Sequence, residues 1–146
     1  MWAYFDTSAL VKRYIDEPGR REVQQLVRRH DCVTSAILSV ELRSALRRRV
    51  AERTLDSSRV SEILKRVAAD RAYWTVVEVG TEVLSGAEAL VSVHPLRTLD
   101  AIHVASAQLF ANRLSISDLM FVSADKRQID AASAIGLATR VIASPR

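Results

Sequence analysis

Apolar residues in this chain alternate between short continuous runs and longer stretches at helical spacing. Trp2 to Phe5 is a compact aromatic-rich run that stops at Asp6, as a buried parallel strand does when it ends at a functional edge. Thr7 or Ser8 then caps a short helix through about Ile15, and Pro18-Gly19 breaks the chain. Arg20 to Arg29 carries Val23, Leu26 and Val27 at helical period. A second strand is predicted around Cys32 to Thr34. Ser35 is the expected N-cap of a helix to about Arg53, and Asp56 or Ser57 starts another with Val60, Ile63, Leu64 and Val67 on one face. Trp74 to Val79 reads as the third strand. Thr81 caps a helix to about Val93 that His94-Pro95 ends, and Thr98 caps an apolar helix to about Ala111. Leu119 to Val122 is the fourth strand, followed by a helix from Lys126 to a C′ glycine at Gly136 and a last strand over Thr139 to Ile142.

Strands separated by one or two helices predict an α/β fold with a mostly parallel central sheet of about five strands and helices on both faces. No linker, repeat or low-complexity segment divides residues 1–146, so one domain is expected. Such sheets bind ligands beyond the carboxyl ends of their strands, where Asp6 and Asp125 fall.

The 146 residues are 49% hydrophobic and 26% charged, enough to bury about two-thirds of the unfolded surface without a structural metal. Cys32 is the single cysteine, which excludes an internal disulfide framework and a Cys-based zinc cluster and fits a reducing compartment. No basic stretch precedes an apolar segment at the N-terminus, and no apolar run approaches the roughly 18 residues of a membrane helix, so a cytoplasmic protein without membrane association is expected. Of the 21 basic residues, 18 are Arg, giving a net charge of +4. Guanidinium groups suit a polyanionic partner, although genome composition explains the Arg bias equally well.

Four acids stand where solvated surface does not explain them. Asp6 and Asp125 each follow an apolar strand and could be helix N-caps or site residues. Glu41 shares a helix face with Ile37, Leu38, Leu42 and Ala45, so it needs either a buried Arg or a bound ligand. Asp100 opens a helix that is apolar nearly all round, where it either complements the helix N-terminus or joins the other three. Carboxylates gathered about 5 Å apart would repel by roughly 3 kcal/mol per pair at an effective dielectric near 20. Mg²⁺ or Mn²⁺ would offset that repulsion through hard oxygen ligands and would activate water for attack on a phosphodiester. Cysteine and zinc-hydrolase chemistry fit poorly, because Cys32 lies in a strand-like run and His30, His94 and His103 form no ligand spacing. An aspartyl-phosphate mechanism wants a second acid two residues after Asp6, where Ser8 stands.

Four segments, Tyr4-Phe5-Asp6-Thr7-Ser8-Ala9-Leu10, Ser35 to Glu41, Asp100 to Ala107, and Phe121-Val122-Ser123-Ala124-Asp125 leading to Gly136-Leu137, occur in this order with acids separated by 35, 59 and 25 residues. In that arrangement the sequence resembles the PIN-domain ribonucleases, specifically the toxin component of a VapBC-type toxin–antitoxin pair. The resemblance implies a PIN-like three-layer sandwich and an Mg²⁺- or Mn²⁺-dependent endoribonuclease acting on structured RNA. It also implies a homodimer silenced by a cognate antitoxin protein. By the same resemblance Asp6, Glu41 and Asp100 are metal ligands and catalytic acids, with Asp125 the least constant of the four. Ser8 and Ser123 are expected to orient carboxylates or water, and His103 is either a supporting group or a structural residue of its helix. Arg43, Arg47 and Arg48, in a cluster continuing to Arg49 and Arg53, together with Arg97, are candidate RNA contacts; the alternative for the cluster is a solvated helix face. The competing non-enzymatic reading is a silent PIN-like scaffold that binds RNA or protein.

Overall fold

The computed structural model describes residues 1–144. Five strands form one sheet: β1 (Trp2–Phe5), β2 (Asp31–Ser35), β3 (Thr75–Val77), β4 (Met120–Ser123) and β5 (Ala138–Val141). Their order is β3-β2-β1-β4-β5 and every pairing is parallel, so the mostly parallel expectation resolves to an all-parallel sheet. The helices are α1 (Thr7–Leu10), α2 (Arg20–Arg29), α3 (Leu38–Ala51), α4 (Val60–Arg71), α5 (Thr81–Val93), α6 (Thr98–Leu114) and α7 (Lys126–Ala134). Short 3₁₀ turns at Val11–Arg13 and Ser57–Arg59 precede the loop to α2 and the start of α4.

The period-two alternation of the central strands separates the layers. Tyr4, Val33 and Phe121 pack with α5, α6 and part of α7 on one face of the sheet. Ala3, Phe5, Cys32 and Val122 pack with Ala9, Leu10, Val23 and Leu38 on the other. Beyond them Val11, Tyr14, Leu42, Leu46, Ile63 and Val67 form a separate cluster joining α3 to α4. The Tyr4 and Phe121 rings stack across adjacent strands with centroids 5.4 Å apart.

Several boundaries differ from the sequence expectation, and α1 is capped by Asp6 rather than by Thr7 or Ser8. Ser35 does not cap α3; it completes β2, because the ladder continues until Ala36 N–H donates to the Val77 carbonyl at 2.9 Å. Thr81 and Thr98 are first helical residues rather than caps, with Gly80 and Arg97 at the flanking positions. The first helix divides at Leu10 into α1 and a 3₁₀ turn. Gly136 has φ +90°, the left-handed conformation expected just past a helix end. Gly19, at φ +92°, lies so close to Ile142 and Ala143 that a β-carbon would come within 2.5 Å of the Ile142 side chain.

Strand order places the topological switch point between β1 and β4. The chain leaves β1 toward β2 on one side and returns to β4 on the other, opening a crevice beyond the carboxyl ends of both strands. No helix among the described residues is long and apolar enough to cross a membrane.

Candidate active site

A cavity of about 270 Å³ occupies that crevice, and Asp6, Glu41, Asp100 and Asp125 all border it. Asp6 and Asp125 are both helix N-caps, and both also border the cavity. Asp6 accepts from Ala9 N–H at 3.0 Å and Asp125 from Arg127 N–H at 2.8 Å, so each carboxylate is fixed by the helix it starts. Capping by a residue directly after a strand orients its side chain at the sheet edge.

Asp6 is 1% exposed. Ser8 Oγ lies 2.8 Å from both its oxygens and also accepts from Ala124 N–H at 3.0 Å, tying the β1 and β4 edges together. Ser123 Oγ stands 3.3 Å from Ser8 Oγ and accepts from Asp125 N–H at 2.9 Å. The two serines therefore sit between the carboxylates that follow their strands. Burial pushes the Asp6 carboxyl above its ordinary value, and the His103 charge and the Ser8, Ala9 and Ser123 hydrogen bonds only partly oppose it.

Glu41 is arranged differently. Half-burial pushes it up, but its hydrogen bond and charge interaction with His103, helped by Thr7, outweigh that effect and leave it below the usual carboxylate range. His103 Nε2 lies 2.5 Å from Glu41 Oε1, and Thr7 Oγ1 donates to the same oxygen at 2.7 Å. A carboxylate only accepts, so Nε2 carries a proton; on the other side of the ring the Tyr4 hydroxyl lies 2.9 Å from Nδ1. His103 is 1% exposed, and its packing on a helix face and its contact with Glu41 are two aspects of one position. The buried Arg considered as a partner for Glu41 is absent among the described residues; a buried His takes that place.

Asp100 lies in the first turn of α6, where Arg97 Nε donates to it at 3.2 Å; the other end of the guanidinium stands 3.7 Å from Asp125. Arg48 and Arg97 line the acid cavity with Lys12 and Arg49. Arg43 instead borders a groove between α3 and α4, and Arg47 is exposed on α3 outside the cavity lining. At 100° per residue the Arg cluster winds around its helix, so only part of it can face one site.

Three features lay beyond the sequence reading. Glu17 has a side chain 13% exposed; it accepts from Lys12 Nζ at 3.0 Å and from Arg49 at 3.2 Å. Lys12 is itself 2% exposed. Gln128, also buried, donates through Nε2 to both Asp6 and Asp100, at 3.0 Å each. Its position three residues after Asp125, one turn into α7 on the same side, is the signal that could have found it. Cys32 is buried in β2, where burial pushes its thiol up to about 12, which removes it as a nucleophile.

The oxygen donors of the cavity suit a hard divalent cation. Among the described residues no three His, Cys, Asp or Glu side chains form a ready cage, because Gln128, His103 and Arg97 interleave with the acids. Asp6 and Asp100, both accepting from the Gln128 amide, are the pair that could hold an ion between them. A buried carboxylate whose partners are neutral, as Asp6 is, gains most from a nearby positive charge.

Residues 3–134 match the PIN domain family. The chain is 35% identical over 136 residues to Ribonuclease VapC46 of Mycobacterium tuberculosis, covering 92% of this chain and 93% of that protein. Among solved structures it resembles a toxin–antitoxin complex from Klebsiella pneumoniae, with TM-score 0.66 and 20% identity over 94% of this chain and 96% of that one. It also resembles FitAcB from Neisseria gonorrhoeae, with TM-score 0.67 and 17% identity over 94% and 95%. At those identities the structures speak for the fold, and the family match for descent: this chain belongs to the PIN domain family.

Proposed function

We propose that the chain is a divalent-metal-dependent endoribonuclease, the toxin of a toxin–antitoxin pair, working as a single domain in the cytoplasm. The observation that carries this reading is the convergence of Asp6, Glu41, Asp100 and Asp125 on one cavity at the switch point, beside Arg48, Arg49, Arg97 and Lys12. Acids alone would repel a phosphodiester; acids with a cationic wall can hold a metal on one side and the RNA backbone on the other. The name of the relative from Mycobacterium tuberculosis, a ribonuclease, supports the same activity. A cognate antitoxin and a homodimer belong to this reading, and the kinship in fold to a toxin–antitoxin complex supports the former.

Asp6 and Asp100 would hold Mg²⁺ or Mn²⁺ jointly, with Glu41 and Asp125 acting on water around it. The cation, when bound, lowers the pKa of water and stabilises charge on the phosphate and leaving oxygen. Glu41, kept ionised by His103 and Thr7, is the group ready to accept a proton from attacking water. Ser8 and Ser123 hold Asp6 and the Asp125 backbone in place. Arg48 and Arg97 receive phosphates; Arg43 and Arg47 would contact RNA only where it extends along α3.

The experiment is cleavage of total cellular RNA by purified protein, wild type beside Asp6→Asn, with Mg²⁺, Mn²⁺ or chelator. Discrete fragments that require both the metal and Asp6 support the proposal and identify the target RNA. Undiminished cleavage by folded Asp6→Asn overturns it, and RNA binding without metal-dependent cleavage points to the scaffold reading instead.

A further inference from the structure

Gln128 is 3% exposed and borders the acid cavity. Its Nε2 stands 3.0 Å from Asp6 Oδ2 and 3.0 Å from Asp100 Oδ1, while its Oε1 is the one buried side-chain oxygen or nitrogen among the described residues with no hydrogen-bond partner. An orphaned buried acceptor costs about 1–3 kcal/mol, so this oxygen requires an explanation. A structural amide in a core normally satisfies both ends. Here one end is doubly engaged and the other idle, at the junction of the two acids best placed to share a cation.

The oxygen and nitrogen of a carboxamide are nearly equal in size, and half a turn about the last side-chain bond exchanges them without moving the rest of the residue. While the two carboxylates are bare, the NH₂ is the favourable end to present. Once positive charge lies between them the preference reverses, and the turn breaks no hydrogen bond at Oε1 because none exists. Amide oxygens are ordinary ligands of hard divalent cations.

Resting on the reading of this cavity as a metal site, we propose that Gln128 is an additional oxygen donor to the cation, showing its NH₂ to Asp6 and Asp100 when they are bare and its carbonyl oxygen when the ion is held. The alternative is that Gln128 is only a neutral spacer that competes with the ion. The two assignments predict opposite signs. Removing a ligand weakens metal binding; removing a competitor, and with it the relief of carboxylate repulsion, tightens it.

Mn²⁺ binding to the whole protein, measured by titration calorimetry and by the electron paramagnetic resonance signal of free Mn²⁺, separates them without any need for cleavage. Gln128→Met keeps the length and apolar stem but removes the oxygen. It should bind Mn²⁺ at least tenfold more weakly than wild type, with Gln128→Glu at least as tight as wild type. Binding by Gln128→Met equal to or tighter than wild type overturns the proposal. Asp6→Asn, measured alongside, keeps the two readings apart: its loss of Mn²⁺ binding with an unaffected Gln128→Met leaves the proposed function standing and removes only this inference. Should Gln128→Met not fold, ¹³C NMR of wild type decides, since the Gln128 side-chain carbonyl carbon is expected to move downfield on saturation with Mg²⁺. An unmoved carbon overturns the assignment.

Discussion

Asp70 and Asp6 are both acids drawn into the protein, and their surroundings contrast sharply. Asp70, on α4, accepts from Arg13 Nε at 2.9 Å and from the Tyr14 hydroxyl at 2.7 Å, while the Arg66 guanidinium lies 5.7 Å over the Tyr14 ring. Asp6 meets Ser8, the Ala9 amide and Gln128, none of them charged. The first cluster is complete: partial burial raises Asp70, but Arg13 and Tyr14 outweigh it and hold the carboxyl below 3.8. The second is short of positive charge, and burial raises Asp6 above the same value. The acid that ties elements together is matched by cations from the chain, whereas Asp6 has only neutral hydrogen-bond partners, the arrangement that the proposed metal site requires.

The largest expected effect tests that distinction directly. Asp6→Asn should lower RNA cleavage by more than the roughly 100-fold typical for loss of a residue that merely supports a metal ligand. It should not lower stability. A carboxyl whose folded pKa is raised favours the fold in its protonated form and loses that contribution as pH rises through its folded value, so ionised Asp6 opposes folding at neutral pH. An Asn that accepts the same Ser8 and Ala9 hydrogen bonds should leave the thermal midpoint of the metal-free protein equal or higher.

His103→Gln should reduce cleavage by about 10- to 100-fold, because Glu41 loses the partner that keeps it ionised and oriented. The loss should appear mainly in kcat, since His103 is buried and out of reach of RNA. Asp70→Asn should show the opposite profile. It removes two charge-assisted hydrogen bonds and should cost about 1–3 kcal/mol by urea unfolding at pH 7 while sparing the chemistry. Because the folded pKa of Asp70 is depressed, its contribution is present above 3.8 and fades as pH falls through the folded value, so variant and wild type should converge in acid.

The smallest effect concerns the cationic wall. Arg48→Ala should weaken RNA binding modestly and reduce the slope of log affinity against log salt by about 0.7, one phosphate contact on a single strand. Arg43→Ala, altering a groove outside the acid cavity, should leave that slope unchanged over the cleaved segment.

The layered α/β architecture was legible because buried parallel strands are continuous apolar runs and the helices between them keep a clean period. The four acids were legible because each interrupts or ends such a run. Cap assignments were less so: Ser35 has a capping side chain, but a hydrogen bond between Ala36 and Val77, residues distant in sequence, decides that it belongs to the strand. Gln128 and Glu17 escaped for a related reason. A glutamine in a polar helix and a glutamate beside Pro18 are ordinary in one dimension, and only the meeting of α7 with β1, and of α3 with the loop before α2, gives them partners. Among the arginines the sequence marks a cluster, but which face of α3 it shares with the acids depends on packing.

The hydrogen bond between Gln128 and Asp6 spans 122 residues of chain. At synthesis rates of about 5–20 residues per second, Asp6 is added to the chain about 6–24 s before Gln128. β1 cannot pair with β4 before then, and the acid pocket has no far wall. On the proposed function the acid cavity is therefore assembled only after α7 has been made, which leaves an antitoxin made alongside a span of seconds in which to be ready.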